Sequence, residues 1–216
     1  MVNEEKATPR ERYRAQVRAE VKAHAWEQIA TAGASALSLN AIAKKMGMSG
    51  PALYRYFASR DDLITELVRD AYRSLADTLR AAAASGPAPD PAVLAHALRE
   101  WALADPQRYF LVYGTPVPGY HAPDDITGIA REIMETLLDA CVTSAPAPTT
   151  PFDKHLASHR QWAADHPAPP RILHRALTFW TRLHGLLSLE LAGHFTGMGF
   201  DAGLLFEAEL DELLRG

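Results

Sequence analysis

The sequence has a single cysteine, Cys141, among 216 residues, so no internal disulfide can form and a stapled secreted scaffold is excluded. It also lacks any stretch near the roughly 18 uninterrupted apolar residues that a membrane span requires. Met1 to Arg10 is polar and of mixed charge, without the apolar segment of a secretory signal. These absences predict a soluble, cytoplasmic protein with no membrane partner. Alternating runs of β-branched residues are missing too, which leaves little from which to build a sheet. There is no Gly-x-Ser-x-Gly elbow, no glycine-rich phosphate loop and no evident pair of catalytic carboxylates. No catalytic residue is therefore assigned, and no cofactor is expected.

What is present is alanine, 38 residues of it, and apolar positions that repeat at three and four residues nearly everywhere. The pattern predicts an all-α fold. Turn signals at Gly33, Gly47, Ser85–Pro89, Gly114–Pro123, Ala145–Pro151, His166–Pro170 and Gly193–Gly199 leave room for roughly nine helices.

The net charge is −4, which on its face speaks against a partner made of phosphates. Resolved along the chain, the charge is divided. As far as Arg60 there are ten Lys and Arg against five Asp and Glu, a surplus of five; beyond it there are 12 against 21, a deficit of nine. The sequence thus predicts a small basic domain over residues 1–60 and a larger acidic one over 61–216, and the basic part is where an anionic polymer can bind.

The first helix is predicted from about Pro9 to Thr31, with Val17, Val21, Ala25 and Ile29 on one stripe and Gly33 as its stop. Arg10, Arg14, Arg18 and Lys22 follow at intervals of four, a row read either as a solvated face or as part of a basic surface. Ser38 reads as the N-cap of a short helix, Leu39 to Met46, ended by Gly47. Ser49 reads as the cap of a second short helix, Gly50 to Phe57, with Pro51 in its first turn. Two short helices around a glycine turn make a helix-turn-helix, with Ile42, Ala43, Met46, Met48, Leu53 and Phe57 inward and Ala52, Arg55 and Tyr56 outward. Ser59 then caps a long helix from Arg60 toward Ala84, striped by Leu63, Leu67, Ala71, Leu75 and Leu79.

The run Ala41-Ile42-Ala43-Lys44-Lys45-Met46-Gly47-Met48-Ser49, then Leu53-Tyr54-Arg55-Tyr56-Phe57 and Ser59-Arg60-Asp61-Asp62-Leu63, resembles the DNA-binding domain of TetR-family regulators. Trp180-Thr181-Arg182-Leu183-His184-Gly185, with Ala104 to Tyr109, is similar to the Trp-His-Gly signature of one class of TetR C-terminal ligand domain. The resemblance implies a homodimer that sets two recognition helices in successive major grooves of a palindromic double-stranded operator and represses until a small molecule releases it. It also implies phosphate contacts from Ser38, Ser49, Tyr54, Tyr56 and Arg60, with Lys44 near the backbone, and base-edge contacts from Gly50, Pro51, Ala52 and Arg55. Arginine on an exposed recognition helix can reach a guanine edge with two parallel hydrogen bonds. Two departures from the family pattern stand out. Arg60 replaces the commoner lysine, and Leu39-Asn40-Ala41 carries no basic residue, which leaves more of the readout to DNA shape.

In the acidic remainder, Trp101, Tyr109, Tyr113, Met134, Trp180 and His184 are the candidate lining of a pocket for a largely apolar effector. The helix from Arg171 to about His194 has two apolar stripes and so needs two partners. Leu183, Leu186 and Leu189 on it, with Leu205, Leu210 and Leu213 on the last helix, are the candidate dimer interface. His155 and His159 share a helical face at i, i+4, yet neither a third histidine nor an acidic ligand stands at helical spacing from them, so no metal site is assigned. Cys141 reads as a small buried apolar group. The alternative readings are a helical enzyme that binds a small molecule and a structural dimer with a vestigial helix-turn-helix.

Overall fold

The computed structural model describes residues 8–115, 117, 119–120, 123–142, 149–163 and 165–215. The loops expected over 114–123 and 145–151 lie partly outside the described residues. The structure is all-helical: α1 (Pro9–Ala32), α2 (Leu39–Lys45), α3 (Gly50–Leu53), α4 (Arg60–Ala83), α5 (Pro91–Ala104), α6 (Pro106–Tyr113), α7 (Asp124–Ala140), α8 (Pro151–Leu156), α9 (Pro170–Leu191) and α10 (Ala202–Arg215), with short 3-10 turns at Ala34–Ala36 and Gln161–Ala163. The expected count of about nine becomes ten among these residues. The break that the apolar periodicity hides is at Asp105: its carboxylate accepts from the Arg108 amide at 3.0 Å and Pro106 opens the next helix, so α5 and α6 are separate.

The chain forms two compact units, residues 1–70 with 115–122, and 71–114 with 123–216. The division falls inside α4 rather than at its start. In the first unit, α1 begins at a capping box: the Thr8 hydroxyl accepts from the Glu11 amide, and the Glu11 carboxylate accepts from the Thr8 amide at 2.7 Å. Val17, Val21, Ala25 and Ile29 are buried as the stripe predicts. They join Leu37, Leu39, Ile42, Leu53, Phe57, Leu63, Ile64 and Leu67 in one small core, in which each large side chain contributes roughly 1.5–3 kcal/mol. Gly33 ends α1 and Gly47 makes the turn after α2, both at positive φ (78° and 66°), where a β-carbon strains the backbone.

In the second unit the core is larger: Leu75, Leu79, Leu94, Leu98, Trp101, Tyr109, Ile133, Leu137, Leu138, Leu173, Phe179, Leu183, Leu187, Phe206 and Leu210 are all buried. Helices α8 and α10 both pack against α9. Among the described residues, no helix is long and apolar enough to cross a membrane.

Candidate nucleic-acid interface and aromatic cluster

The helix-turn-helix forms from α2, the Gly47 turn and α3. The Ser38 hydroxyl caps α2, accepting from the Ala41 amide at 3.3 Å. Ser49 makes no side-chain cap bond, which leaves its exposed hydroxyl uncommitted to the helix start. α3 is shorter than the expected Gly50–Phe57: α-helical geometry ends at Leu53, and the chain continues as a tight turn whose Arg55 and Tyr56 amides donate to the Ala52 and Leu53 carbonyls at 3.4 and 2.8 Å. On this segment Pro51, Tyr54 and Arg55 are exposed, whereas Gly50, Ala52 and Tyr56 are half-buried and Leu53 and Phe57 are fully buried. Tyr54 keeps 45% of its surface, so packing against the first helix is not its role. Ile42 and Ala43 face inward as expected, while Met46 and Met48 are half-buried. Lys44 is exposed.

The basic row of α1 is part solvated and part paired: Arg10 and Arg14 are exposed, and Arg18 and Lys22 are half-buried. Arg14 Nη2 donates to the Arg55 carbonyl at 3.4 Å, and its guanidinium lies 5.7 Å over the Tyr56 ring. Arg18 donates to the Tyr56 carbonyl, sits 4.2 Å over the Phe57 ring and pairs with Glu66 at 3.0 Å. Lys22 pairs with Asp70 at 2.5 Å. The last carbonyls of a helix have no partner within it. Here α1 supplies cations to the Arg55 and Tyr56 carbonyls, in the turn just beyond the end of α3, and so ties the recognition segment to α1. These pairings span 38 to 48 residues, so no local pattern could have announced them.

Arg60 is engaged within its own unit. Its guanidinium donates to the carbonyls of Ala34 (2.9 Å), Ser35 (3.1 Å) and Leu37 (3.2 Å), closing the 3-10 turn onto the start of α4. Ser59 caps α4 through the Asp62 amide at 3.0 Å, and Asp62 accepts in turn from the Ala58 amide at 3.0 Å.

In the second unit, four of the six candidate pocket residues converge. Tyr109 lies nearly parallel to His184 with ring centroids 5.6 Å apart, and Tyr113 and Trp180 approach the same imidazole to 4.3 and 4.1 Å. The Tyr109 hydroxyl lies 2.9 Å from both His184 Nδ1 and Ser188 Oγ. Burial pushes the Tyr109 and Tyr113 phenols up, and it pushes the His184 imidazole down to about 4, so His184 is neutral at pH 7. His184 Nε2 is closed to solvent and has no hydrogen-bond partner. Tyr72, on α4, joins the cluster edge-on to Tyr113 at 6.0 Å, and no sequence signal singled it out.

The other two candidates stand apart. Trp101 Nε1 donates to Ser74 Oγ at 3.1 Å, and Arg108 stacks 4.6 Å over its ring while donating to Ser74 Oγ and the Trp101 carbonyl. Met134 packs, half-buried, on the core. Of the candidate interface leucines, Leu183, Leu186, Leu210 and Leu213 are buried within the single chain, which leaves them little surface to offer a partner. Leu205 is half-buried, and Leu189 keeps 46% of its surface. His155 and His159 stack ring on ring, 3.9 Å apart, instead of converging on a point. Cys141 is buried, and burial pushes its thiol to about 11, the behaviour of an inert apolar group.

A basic unit with an exposed recognition segment, joined by one long helix to a helical unit with a buried aromatic cluster, defines a helix-turn-helix DNA-binding protein. The chain belongs to the TetR family of transcriptional regulators: residues 23–67 match the model for bacterial regulatory proteins of the tetR family, and residues 91–213 match that for a tetracyclin repressor-like C-terminal domain. It is 36% identical over 212 residues to the HTH-type transcriptional regulators Rv1816 of Mycobacterium tuberculosis and Mb1846 of Mycobacterium bovis, covering 91% of this chain and 90% of each relative. The solved structure of regulatory protein SCO4313 is 74% identical, with a TM-score of 0.90 over 97% of this chain and all of that one. A Rhodococcus sp. RHA1 protein of unknown function shares the fold at 22% identity, with a TM-score of 0.65 over 93% of this chain and 94% of its own. The chain is therefore a DNA-binding transcriptional regulator and not an enzyme.

Proposed function

We propose that this regulator is a cytoplasmic repressor that binds a palindromic double-stranded operator as a homodimer and is released by a small, largely apolar effector. The observation that carries the reading is the recognition segment: Tyr54 and Arg55 are exposed on it, and Arg14 and Arg18 engage the carbonyls at its end. In this reading Arg55 reads base edges, with Gly50, Pro51 and Ala52 giving close approach, while Ser38, Lys44, Ser49, Tyr54 and Tyr56 serve the phosphates. Arg60 is withdrawn from that set because three backbone carbonyls already occupy it. Residues 1–60 hold the DNA-reading parts and 61–216 the effector and dimer parts, with α4 running from one to the other.

The effector site centres on Tyr109, Tyr113, Trp180 and His184. The dimer forms through the outward faces of α9 and α10, where Leu189 and Leu204 are exposed at 46% and 71%. Mobility-shift titration against DNA from the upstream region of the protein's own gene tests the reading. A shifted complex at low salt should weaken steeply as salt rises, since each neutralised phosphate releases counterions. A chain that binds no such duplex at any salt concentration overturns it.

A further inference from the structure

Four side chains of the helical unit hold buried polar atoms without partners: Arg99, Arg108, His184 and Glu190. Three of them are the spare atoms of charged groups already engaged elsewhere. Arg99 pairs with Glu190 at 2.6 Å, and Arg108 spends two nitrogens on Ser74 and the Trp101 carbonyl. His184 differs, because the orphan is one of only two nitrogens in a neutral ring, and the other is taken by Tyr109.

The identity of the orphan follows from the acid–base order around it. The Tyr109 phenol has one proton and three acceptors in reach, His184 Nδ1 and Ser188 Oγ at 2.9 Å and the His184 carbonyl at 3.2 Å, of which the imidazole nitrogen is the most basic. With that proton given to Nδ1, the imidazole carries its own hydrogen on Nε2. The Ser188 hydroxyl, 2.9 Å from the phenol oxygen, donates to it and completes the chain. Nε2–H is then a buried donor with nothing to donate to, ringed by Tyr109, Tyr113 and Trp180. This is an unfavourable state that a bound acceptor relieves.

We propose that this cluster recognises a flat, uncharged aromatic ligand through a carbonyl oxygen, which accepts from His184 Nε2 while the ligand ring lies against Tyr113 and Trp180. The inference rests on the effector reading above and names the chemical class of the effector. Tyr113 and Trp180 meet edge to face at 5.8 Å and, like His184, are half-buried, so the ligand enters by parting these two rings. A carboxylate is disfavoured: the ring faces are negative and the neutral imidazole brings no compensating charge. A cation is disfavoured because the Nε2 hydrogen points at it. A hydrocarbon of the same shape parts the same rings but leaves the donor unpaired.

Equilibrium dialysis of the full chain with 2-acetonaphthone, 2-ethylnaphthalene and 2-naphthoate tests the proposal. The ketone should bind on the order of tenfold more tightly than either of the others, the ratio expected for one buried hydrogen bond. His184→Phe should erase the gap by weakening the ketone alone, and His184→Gln, which keeps an N–H donor, should retain part of it. Equal binding of ketone and hydrocarbon, a gap that survives in His184→Phe, or no binding of any probe overturns the inference. A measurement on the unaltered protein stands beside the variants: long-range ¹H–¹⁵N spectra should show His184 protonated at Nε2 in the free protein, and protonation at Nδ1 overturns the donor assignment. Mobility shifts on the same samples separate the two readings. A ketone that binds without releasing operator DNA defeats the effector reading alone, whereas release by apolar compounds with no preference for a carbonyl defeats the inference alone.

Discussion

The Arg60 guanidinium donates to the Ala34 carbonyl at 2.9 Å, across 26 residues of chain, and also reaches Ser35 and Leu37. An arginine that resembles a phosphate contact by its place in a motif is thus a brace between the 3-10 turn and α4. The two roles predict different outcomes for Arg60→Ala. As a brace, its loss strands the Ser35 and Leu37 carbonyls, while Ala34 keeps the Leu37 amide, and destabilises the domain by about 1–3 kcal/mol. Urea denaturation should show this as a lower midpoint with an unchanged slope. The salt dependence of DNA binding should stay as steep as in the unaltered protein. A flatter salt slope with full stability would return Arg60 to the phosphates.

Arg55 and Arg18 divide along a related line. Arg55→Ala removes an exposed side chain, so stability should hold while base preference relaxes by roughly 1–3 kcal/mol at the contacted position. Arg18→Ala removes the donor to the Tyr56 carbonyl, the contact with the Phe57 ring and the pair with Glu66. It should weaken binding to every sequence alike, because the recognition segment loses its tether. Competition binding with a panel of single-base operator variants distinguishes the two patterns, and a sequence-selective effect of Arg18→Ala would refute the tether.

The contrast between these residues shows what a linear sequence carries. The Val17-Val21-Ala25-Ile29 stripe, the Gly33 stop and the Ser38 cap were legible because helical periodicity and capping act within a few residues. The Tyr109–Tyr113–Trp180–His184 cluster was legible only as a set of residue types, since its members lie on α6 and α9 and their meeting depends on packing. Arg60, the α1 arginines and Leu183 share one limit: a sequence shows each on its own helix, while its contacts in the fold are set by partners far along the chain. Leu183 is the plainest case: a helix with two apolar stripes needs two partners, but in this fold α5, α7, α8 and α10 all pack on α9 within one subunit. The separation of α5 from α6 at Asp105–Pro106 was readable, because a capping residue followed by proline is a local start signal.

His184 makes stability depend on pH in a defined window. Its folded-state value is about 4 against 6.5 for an ordinary histidine, so between those values the unfolded chain binds a proton that the folded one refuses. Stability rises with pH where the unfolded state binds more protons. The contribution is therefore complete above about pH 6.5, falls as the pH drops toward 4 and levels off below. Its full span is about 3 kcal/mol. The acidic groups held below their ordinary range, Glu132 beside Arg73 among them, act in the same direction but only at lower pH. Unfolding free energies measured from pH 7 to pH 4 should decline for the unaltered protein and decline much less for His184→Gln. Parallel curves for the two proteins would assign the decline to other groups.

The correction to the dimer face leads to the last prediction. Leu183 and Leu210 are buried within the single chain, and Leu189 on α9 and Leu204 on α10 are exposed. A hydrophobic side chain that is 71% exposed, as Leu204 is, has little to lose in the monomer when it becomes charged. The same change in a close-packed interface buries an unpaired charge and costs several kcal/mol. Leu189→Glu combined with Leu204→Glu should therefore yield a folded monomer by light scattering, with far-UV dichroism and unfolding midpoint near those of the isolated subunit, and operator affinity should collapse as the two recognition segments lose their shared spacing. Leu183→Ala should behave in the opposite way: it opens a cavity in the subunit core, lowers stability by about 2–5 kcal/mol and leaves the association state of the folded fraction unchanged. If the doubly charged variant remained a dimer, the outward faces of α9 and α10 would not be the interface.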